Sequence, residues 1–248
     1  MKIRANAAII EKNMLSIIIP TYNEEATLPG LLDSIKGQDY RDYEIIISDN
    51  KSSDRTRSIA QQYGARITEG GLPGPGRNRG AEAARGDKFL FLDADVVLPH
   101  DKFLSKTINE FDTRGMDIAT CRINPISEKI VDHIFHDAYN FYTTRMARFR
   151  PHAPGFCIFV RRHIHEKING FDEQIKLAED HDYTQRAVKL GEFGFLSELI
   201  PVSVRRFEKD GRLRIATKYI LCEIYTILFN NVKNDIFKYR FGYEEEKN

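Results

Sequence analysis

Apolar residues follow two rhythms in the first hundred positions. Short runs rich in isoleucine, leucine and phenylalanine, at residues 15–19, 43–48, 65–68 and 88–92, alternate with stretches whose apolar residues recur every three or four positions. The runs predict strands buried on both faces, and the periodic stretches predict helices. Leu28, Leu31, Leu32 and Ile35 mark one helix within residues 23–36, and Ser53-Asp54 is a capping signal for a second that reaches about Tyr63. Residues 70–76 read as a glycine-rich, flexible loop leading into a short helix through Ala81 to Ala84. Buried strands separated by helices predict a mostly parallel sheet in a three-layer α/β domain, a Rossmann-like αβα sandwich. Such sheets bind ligands at the carboxyl ends of their strands. Residues 21–24, 49–54 and 93–95 all fall at such ends.

The second half is less regular. It predicts strands at 117–123, 155–160, 193–196 and 202–205, and helices at 130–149, 179–190 and 212–231, before a solvated tail at 243–248. No repeat, low-complexity segment or linker interrupts it. Residues 1–211 therefore read as one domain and 212–248 as a C-terminal helical extension. That helix places Leu213, Ala216, Ile220, Ile224, Ile227 and Leu228 at helical spacing, while Tyr219, Cys222, Tyr225 and Phe229 spread apolar character around it. Packing on the domain, contact with a membrane surface and a homodimer interface all fit such a helix.

Composition narrows the functional classes. The 248 residues are enough for an ample core, and Lys+Arg 37 against Asp+Glu 36 gives no bulk electrostatic drive toward nucleic acid. Three cysteines in apolar contexts, without metal spacing, read as reduced core thiols and point to the cytoplasm. The apolar part of the first ten residues is too short for a signal peptide, and no stretch has the apolar length that spans a bilayer.

The candidate chemistry centres on Asp93-Ala94-Asp95. Strand residues two apart share a face, so two carboxylates leaving a buried strand can hold a hard divalent cation, Mg2+ or Mn2+, with positions left for a phosphate group. Acidic residues also decorate ordinary turns, so the pair alone does not decide. Asn23 suits a helix cap as well as a ligand contact, and Ser52, Ser53 and Asp54 suit caps. Pro73 and Pro75 remove amide donors that a phosphate cradle would need. Glu179, Asp180 and Asp182 open a predicted helix, whose dipole favours negative charge there. His133, His136, His152, His163, His165 and His181 show no ligand spacing. Arg205 and Arg206, with Lys209, form a basic cluster expected in a loop.

Five motifs in order, Pro20-Thr21-Tyr22-Asn23-Glu24, Asp49 to Asp54, Arg77-Asn78-Arg79-Gly80, Asp93-Ala94-Asp95, and Glu179-Asp180-His181-Asp182 with Arg186, resemble glycosyltransferase family 2 over roughly residues 14–207. The resemblance implies a GT-A fold and an inverting, metal-dependent transfer from a nucleotide-diphosphate sugar, most commonly a UDP-sugar. It places Pro20, Thr21, Tyr22, Asn23 and Glu24 against the base and ribose, and has Asp49 accept a hydrogen bond from the base. Arg77 stands near the nucleotide. Asp93, Ala94 and Asp95 stand at the donor, with Asp93 and Asp95 on the metal. Gly155 and Glu179 line the sugar, and Asp180 is the base. Arg205 and Arg206 would contact the diphosphate or a phosphorylated acceptor.

Some GT-A enzymes add a late histidine as a further metal ligand, and no histidine follows His181. Processive relatives carry a tryptophan motif, and this chain has no Trp. Transfer of one sugar to a glycan, glycolipid or polyprenyl-phosphate acceptor is therefore expected, in the cytoplasm or peripherally at the inner face of the membrane. A nucleotidyltransferase would open with a glycine-rich basic loop where Pro20 to Glu24 stand. A non-catalytic sugar-nucleotide binder or scaffold would have no need of both the Asp pair and Asp180.

Overall fold

The computed structural model describes residues 10–229. The apolar runs of the first half become strands β1 (Glu11–Thr21), β2 (Tyr43–Asp49), β3 (Arg66–Glu69) and β4 (Gly86–Leu92). Between them lie helices α1 (Leu28–Lys36), α2 (Thr56–Gln62) and α3 (Pro73–Ala83), followed by α4 (Phe103–Thr113). The second half adds β5 (Ile118–Ile126), α5 (Ile130–Met146), β6 (Cys157–Arg161), α6 (Arg162–Lys167), α7 (Glu179–Ala187), β7 (Phe193–Ser203), α8 (Arg205–Asp210) and α9 (Arg212–Phe229). The seven strands form one sheet in the order β3-β2-β1-β4-β6-β5-β7. Pairing is parallel except where β6 lies antiparallel to β4 and β5. This is the mostly parallel α/β architecture expected.

Alternation along the strands builds two cores. Ile17, Ile19, Ile47, Leu90 and Leu92 point to the face covered by Leu28, Leu31, Leu32 and Ile35 of α1 and by Phe103 and Leu104 of α4. Ile18, Ile46, Phe89 and Phe91 point to the face that holds Ala81, Ile164 and Tyr183. Both faces are buried, which is why these strands carry no polar alternation.

Several boundaries differ from expectation. The glycine-rich segment is no flexible loop: α3 begins at Pro73. The first four helical amides have no intrahelical acceptor, so Pro73 and Pro75 cost the helix nothing there. Its glycines allow close packing, and a Cβ on Gly80 would lie 2.3 Å from Ile18 Cγ2. Pro20 lies within β1 rather than closing it. The two short strands expected after residue 190 are one strand, β7, with a register shift, and Arg205 and Arg206 lie on a short helix instead of a loop. The helix expected from residue 23 starts at Leu28.

Of the three alternatives for the C-terminal helix, packing on the domain is observed. Arg212 Nε and Nη2 donate to Asp132 Oδ1 and Oδ2 at 2.7 and 2.9 Å, and Ile215 and Thr226 are buried. Leu213, Ile220, Leu221, Ile224 and Ile227 remain exposed. Positions 230 and 231 of the expected helix, the solvated tail and the first nine residues lie outside the described residues.

The second core contains a titratable group. His165 is 8% exposed, with Nδ1 2.9 Å from the Tyr183 hydroxyl and its ring against Phe89, Phe91 and Phe171. Burial, with Arg162 and Arg186 nearby, pushes its pKa down to about 4. In the unfolded chain the ring titrates near ~6.5. Its share of stability is therefore fully present above about pH 6.5 and is lost as pH falls toward 4, by about 3 kcal/mol at most. Urea unfolding at stepped pH should show this loss, and His165→Gln should flatten the curve over that interval.

Candidate active site

Four chain segments meet at the carboxyl ends of β1, β2 and β4. Thr21, the last residue of β1, donates through Oγ1 to Asp49 Oδ1 at 3.1 Å. Asp49, 1% exposed, also accepts from Ser52 Oγ at 2.6 Å, Ser52 N at 3.1 Å and Arg57 Nη1 at 3.0 Å. Four donors fill its lone pairs, so Asp49 braces the β1 and β2 loops against each other. Asn23 adds to the brace instead of capping a helix. Its φ is +54°, its N–H donates to Ser52 Oγ and its Oδ1 accepts from Ser53 N, both at 2.9 Å. Asp54, two residues before α2, accepts from Thr56 N at 3.0 Å, while the N-cap position, Arg55, makes no side-chain cap hydrogen bond. Tyr22 is left exposed, at 40%.

β4 stops at Leu92, and Asp93 to Val96 form a turn closed by Val96 N donating to Asp93 O at 3.2 Å. The turn, not strand alternation, sends Asp93 and Asp95 outward while Ala94 is buried. Their side chains are about equally accessible, 40% and 44%. Glu24 lies close to both. Burial pushes its carboxyl up from the ordinary range; Asp95 and Asp93 push the same way, against the Thr27 hydrogen bond and Arg205. Arg205 Nη2 sits 3.9 Å from Asp95 Oδ2. Carboxylate oxygens gathered in this way are of the kind a hard divalent ion can take.

Arg77 does not reach outward. It is 2% exposed, with Nη2 donating to Asp93 Oδ1 and Nη1 to Glu179 Oε1, both at 2.8 Å, and its guanidinium over the Phe171 ring at 5.4 Å. It thereby ties the Asp93 turn to the start of α7. Gly155 belongs to the same tie: a Cβ there would lie 2.5 Å from Arg77 Nη2. Because β6 runs antiparallel to β4, with Cys157 opposite Leu92, Gly155 arrives beside the carboxyl end of β4. Its N–H donates to Asp180 Oδ2 at 2.7 Å, while His181 N donates to Asp180 Oδ1 at 2.9 Å. Ala178, just before α7, holds φ +60°, a left-handed conformation that costs a non-glycine residue about 1 kcal/mol. Strain of this kind concentrates where a side chain must be aimed. Asp182 does not cap α7 but pairs with Arg186 Nε at 2.7 Å.

The family model for glycosyl transferase family 2 matches residues 16–169. The chain belongs to this family. Among curated members it is 27% identical over 191 residues to glycosyltransferase AglE of Haloferax volcanii, with 71% of this chain and 62% of AglE covered. It is likewise 27% identical over 259 residues to the amylovoran biosynthesis glycosyltransferase AmsB of Erwinia amylovora, with 91% and 81% covered. The chain thus spans less than two thirds of AglE and most of AmsB. Its fold matches mannosyltransferase PcManGT of Pyrobaculum calidifontis, solved with GDP-Man and Mn2+, at a TM-score of 0.71 and 20% identity, over 91% of this chain and 67% of that one. The GT-A fold that the resemblance implies is therefore the observed one.

Residues 20–24, Asp49, Ala94, the Asp93 and Asp95 pair, Arg205, Gly155, Glu179 and Asp180 lie at one end of the sheet. Arg206 is on α8, at the same end of the chain's β7. The link from Arg77 to both Asp93 and Glu179 was not visible, since the residues lie 16 and 102 positions apart. Also unforeseen is the meeting of His152 and His181 with Glu223 of α9, directly after Asp180. A cleft of about 300 Å³ lined by Lys36, Glu44, Arg66 and Arg85 lies at the opposite, amino ends of the strands. Among the described residues, no helix is long and apolar enough to cross a membrane.

Proposed function

We propose that this chain is an inverting glycosyltransferase. It moves one sugar from a nucleotide-diphosphate sugar, with UDP the expected nucleotide, to a hydroxyl of a glycan, glycolipid or polyprenyl-phosphate acceptor. The observation that carries this reading is the Arg77 tie, which sets the Asp93–Asp95 turn and the Asp180 helix in one fixed frame. Inversion needs a carboxylate on the side opposite the leaving group, to take the acceptor's proton as its oxygen attacks the anomeric carbon. Asp180 has that role, its orientation set by the Gly155 and His181 amides.

Tyr22 stacks on the base and Asn23, Glu24 and Thr21 border the ribose, with Pro20 shaping the loop. Asp49 meets the base edge by yielding one of its present donors. Asp93 and Asp95 fit Mg2+ or Mn2+, the ion of the PcManGT complex. When bound, such an ion neutralises the diphosphate as it leaves. Arg205 supplies positive charge to the same phosphates, a role the resemblance extends to Arg206. The exposed face of α9, with Ile220, Ile224 and Ile227, is available to a membrane surface or a second copy, consistent with an acceptor presented at the inner face of the membrane.

A thermal-shift screen of sugar nucleotides with Mn2+ tests the donor assignment. One donor should raise the midpoint by mass action and release its nucleoside diphosphate when an acceptor is supplied. Chelation, or Asp95→Asn, should remove both effects. A shift and turnover that survive chelation would rule out the metal assignment.

A further inference from the structure

Three elements outside the donor site deliver imidazole and carboxylate groups to one buried point. His152 comes from the segment between α5 and β6, His181 from the first turn of α7, and Glu223 from α9. One ligand atom from each lies within 4.8 Å of the others. Their closest approaches are 3.4 Å for His152 Nδ1 to His181 Nε2, 3.5 Å for His152 Nε2 to Glu223 Oε1, and 3.6 Å for His181 Nδ1 to Glu223 Oε2. Nitrogen and oxygen partners that hydrogen-bond well sit at about 2.7–3.2 Å. The His152–His181 approach runs through one nitrogen of each ring while Glu223 faces the other, so these are not the distances of one ligand set. The set of one atom from each residue, within 4.8 Å, would contract toward the about 3.4 Å between ligands on a tetrahedral zinc.

The unsatisfied atoms point the same way. His152 Nε2, His181 Nδ1 and Glu223 Oε2 are buried and have no hydrogen-bond partner. His152 is 1% exposed. The two imidazole nitrogens meet Glu223 only at 3.5 and 3.6 Å, too long for good hydrogen bonds, and an ion is one of the ordinary reasons for such loose contacts between buried polar atoms. The other carboxylate oxygen is already held: Tyr142 OH donates to Glu223 Oε1 at 2.9 Å, and Arg150 Nε, itself without a hydrogen-bond partner, lies 3.5 Å from the same oxygen. Outer contacts of this kind orient a metal-ligating carboxylate.

We propose that His152, His181 and Glu223 form a second cation site, selective for zinc or a similar borderline divalent ion. Two imidazoles and one carboxylate suit Zn2+ and Co2+ far better than Mg2+, which prefers oxygen ligands throughout. The site is separate in chemistry from the all-oxygen Asp93–Asp95 pair. Its place in the fold assigns its work. It clasps α9 and the segment leading to Gly155 onto the residue that follows Asp180, so it positions the proposed base without touching substrate.

The test uses the full chain, stripped with chelator and returned to excess Mg2+, which keeps the oxygen site supplied. Titration with Co2+ should give one saturable equivalent with the intense visible absorption of a tetrahedral centre, displaced by Zn2+. Zinc should also raise the unfolding midpoint. His152→Ala and Glu223→Gln should each weaken Co2+ binding by roughly tenfold or more, and circular dichroism should show both variants folded. Absence of a saturable equivalent, an octahedral spectrum, or binding unchanged in both variants would overturn the proposal. None of these readouts depends on sugar transfer, so the site stands or falls apart from the glycosyltransferase reading.

Discussion

Asp180→Asn is expected to lower turnover by roughly 10²–10⁴-fold, the range lost with a general base, while leaving the donor's thermal shift in place. The separation follows from geometry. The proposed donor contacts come from the β1, β2 and β4 loops, whereas Asp180 is held from the other side by Gly155 N and His181 N at 2.7 and 2.9 Å. The substitution carries a structural cost as well. Both Asp180 oxygens accept amide hydrogens, but asparagine has one acceptor and one donor group, so one amide must face another donor. A mismatch of that kind costs about 1–3 kcal/mol, which urea unfolding will resolve. Asp182→Asn is the matched control. Asp182 is engaged by Arg186 at 2.7 Å, and its loss should leave most turnover intact. Wild-type turnover in Asp180→Asn would end the base assignment. Loss in Asp182→Asn alone would move the assignment there.

How far the sequence reveals this site depends on the range of the interactions. The strands of the first half were legible because burial on both faces erases polar alternation, as in residues 15–19 and 88–92. The end of the sheet proposed to bind ligand follows from the parallel order alone. What composition concealed was local geometry set by tertiary contact. Proline and glycine at residues 70–76 looked like a loop, yet prolines in a first helical turn break no hydrogen bond, and Gly80 is needed where α3 meets Ile18. Asp93 and Asp95 share a side because of a turn, not a strand. Ala178 carries no signal for its left-handed backbone. Least visible were partners far apart in the chain: His152, His181 and Glu223 show no ligand spacing because three separate elements supply them. The resemblance places Arg77 near the nucleotide, and an arginine is otherwise expected to be solvated. Only the fold shows it enclosed.

That enclosure makes Arg77→Met the substitution with the largest expected structural effect, a loss of about 3–5 kcal/mol together with turnover. The guanidinium neutralises two carboxylates of unequal standing. Asp93 is 40% exposed and can be solvated when its partner goes. Glu179 is 7% exposed, and burial followed by the Asp180 charge pushes its pKa up, with Arg77 the main influence in the other direction. Without Arg77 the buried Glu179 must take up a proton or remain an unpaired charge, and either route destabilises the fold. Methionine roughly fills the volume over Phe171 but supplies neither hydrogen bond. The double variant Arg77→Met with Glu179→Gln removes the buried charge that Arg77 neutralises, so it should recover at least half of the lost stability. It should not recover turnover, because nothing then ties the Asp93 turn to α7. Thermal unfolding and nucleoside diphosphate release, measured on the two variants side by side, separate the outcomes. Full stability in Arg77→Met would mean that the buried pair contributes little. Turnover restored in the double variant would mean that the base and the metal pair hold their places without the tie.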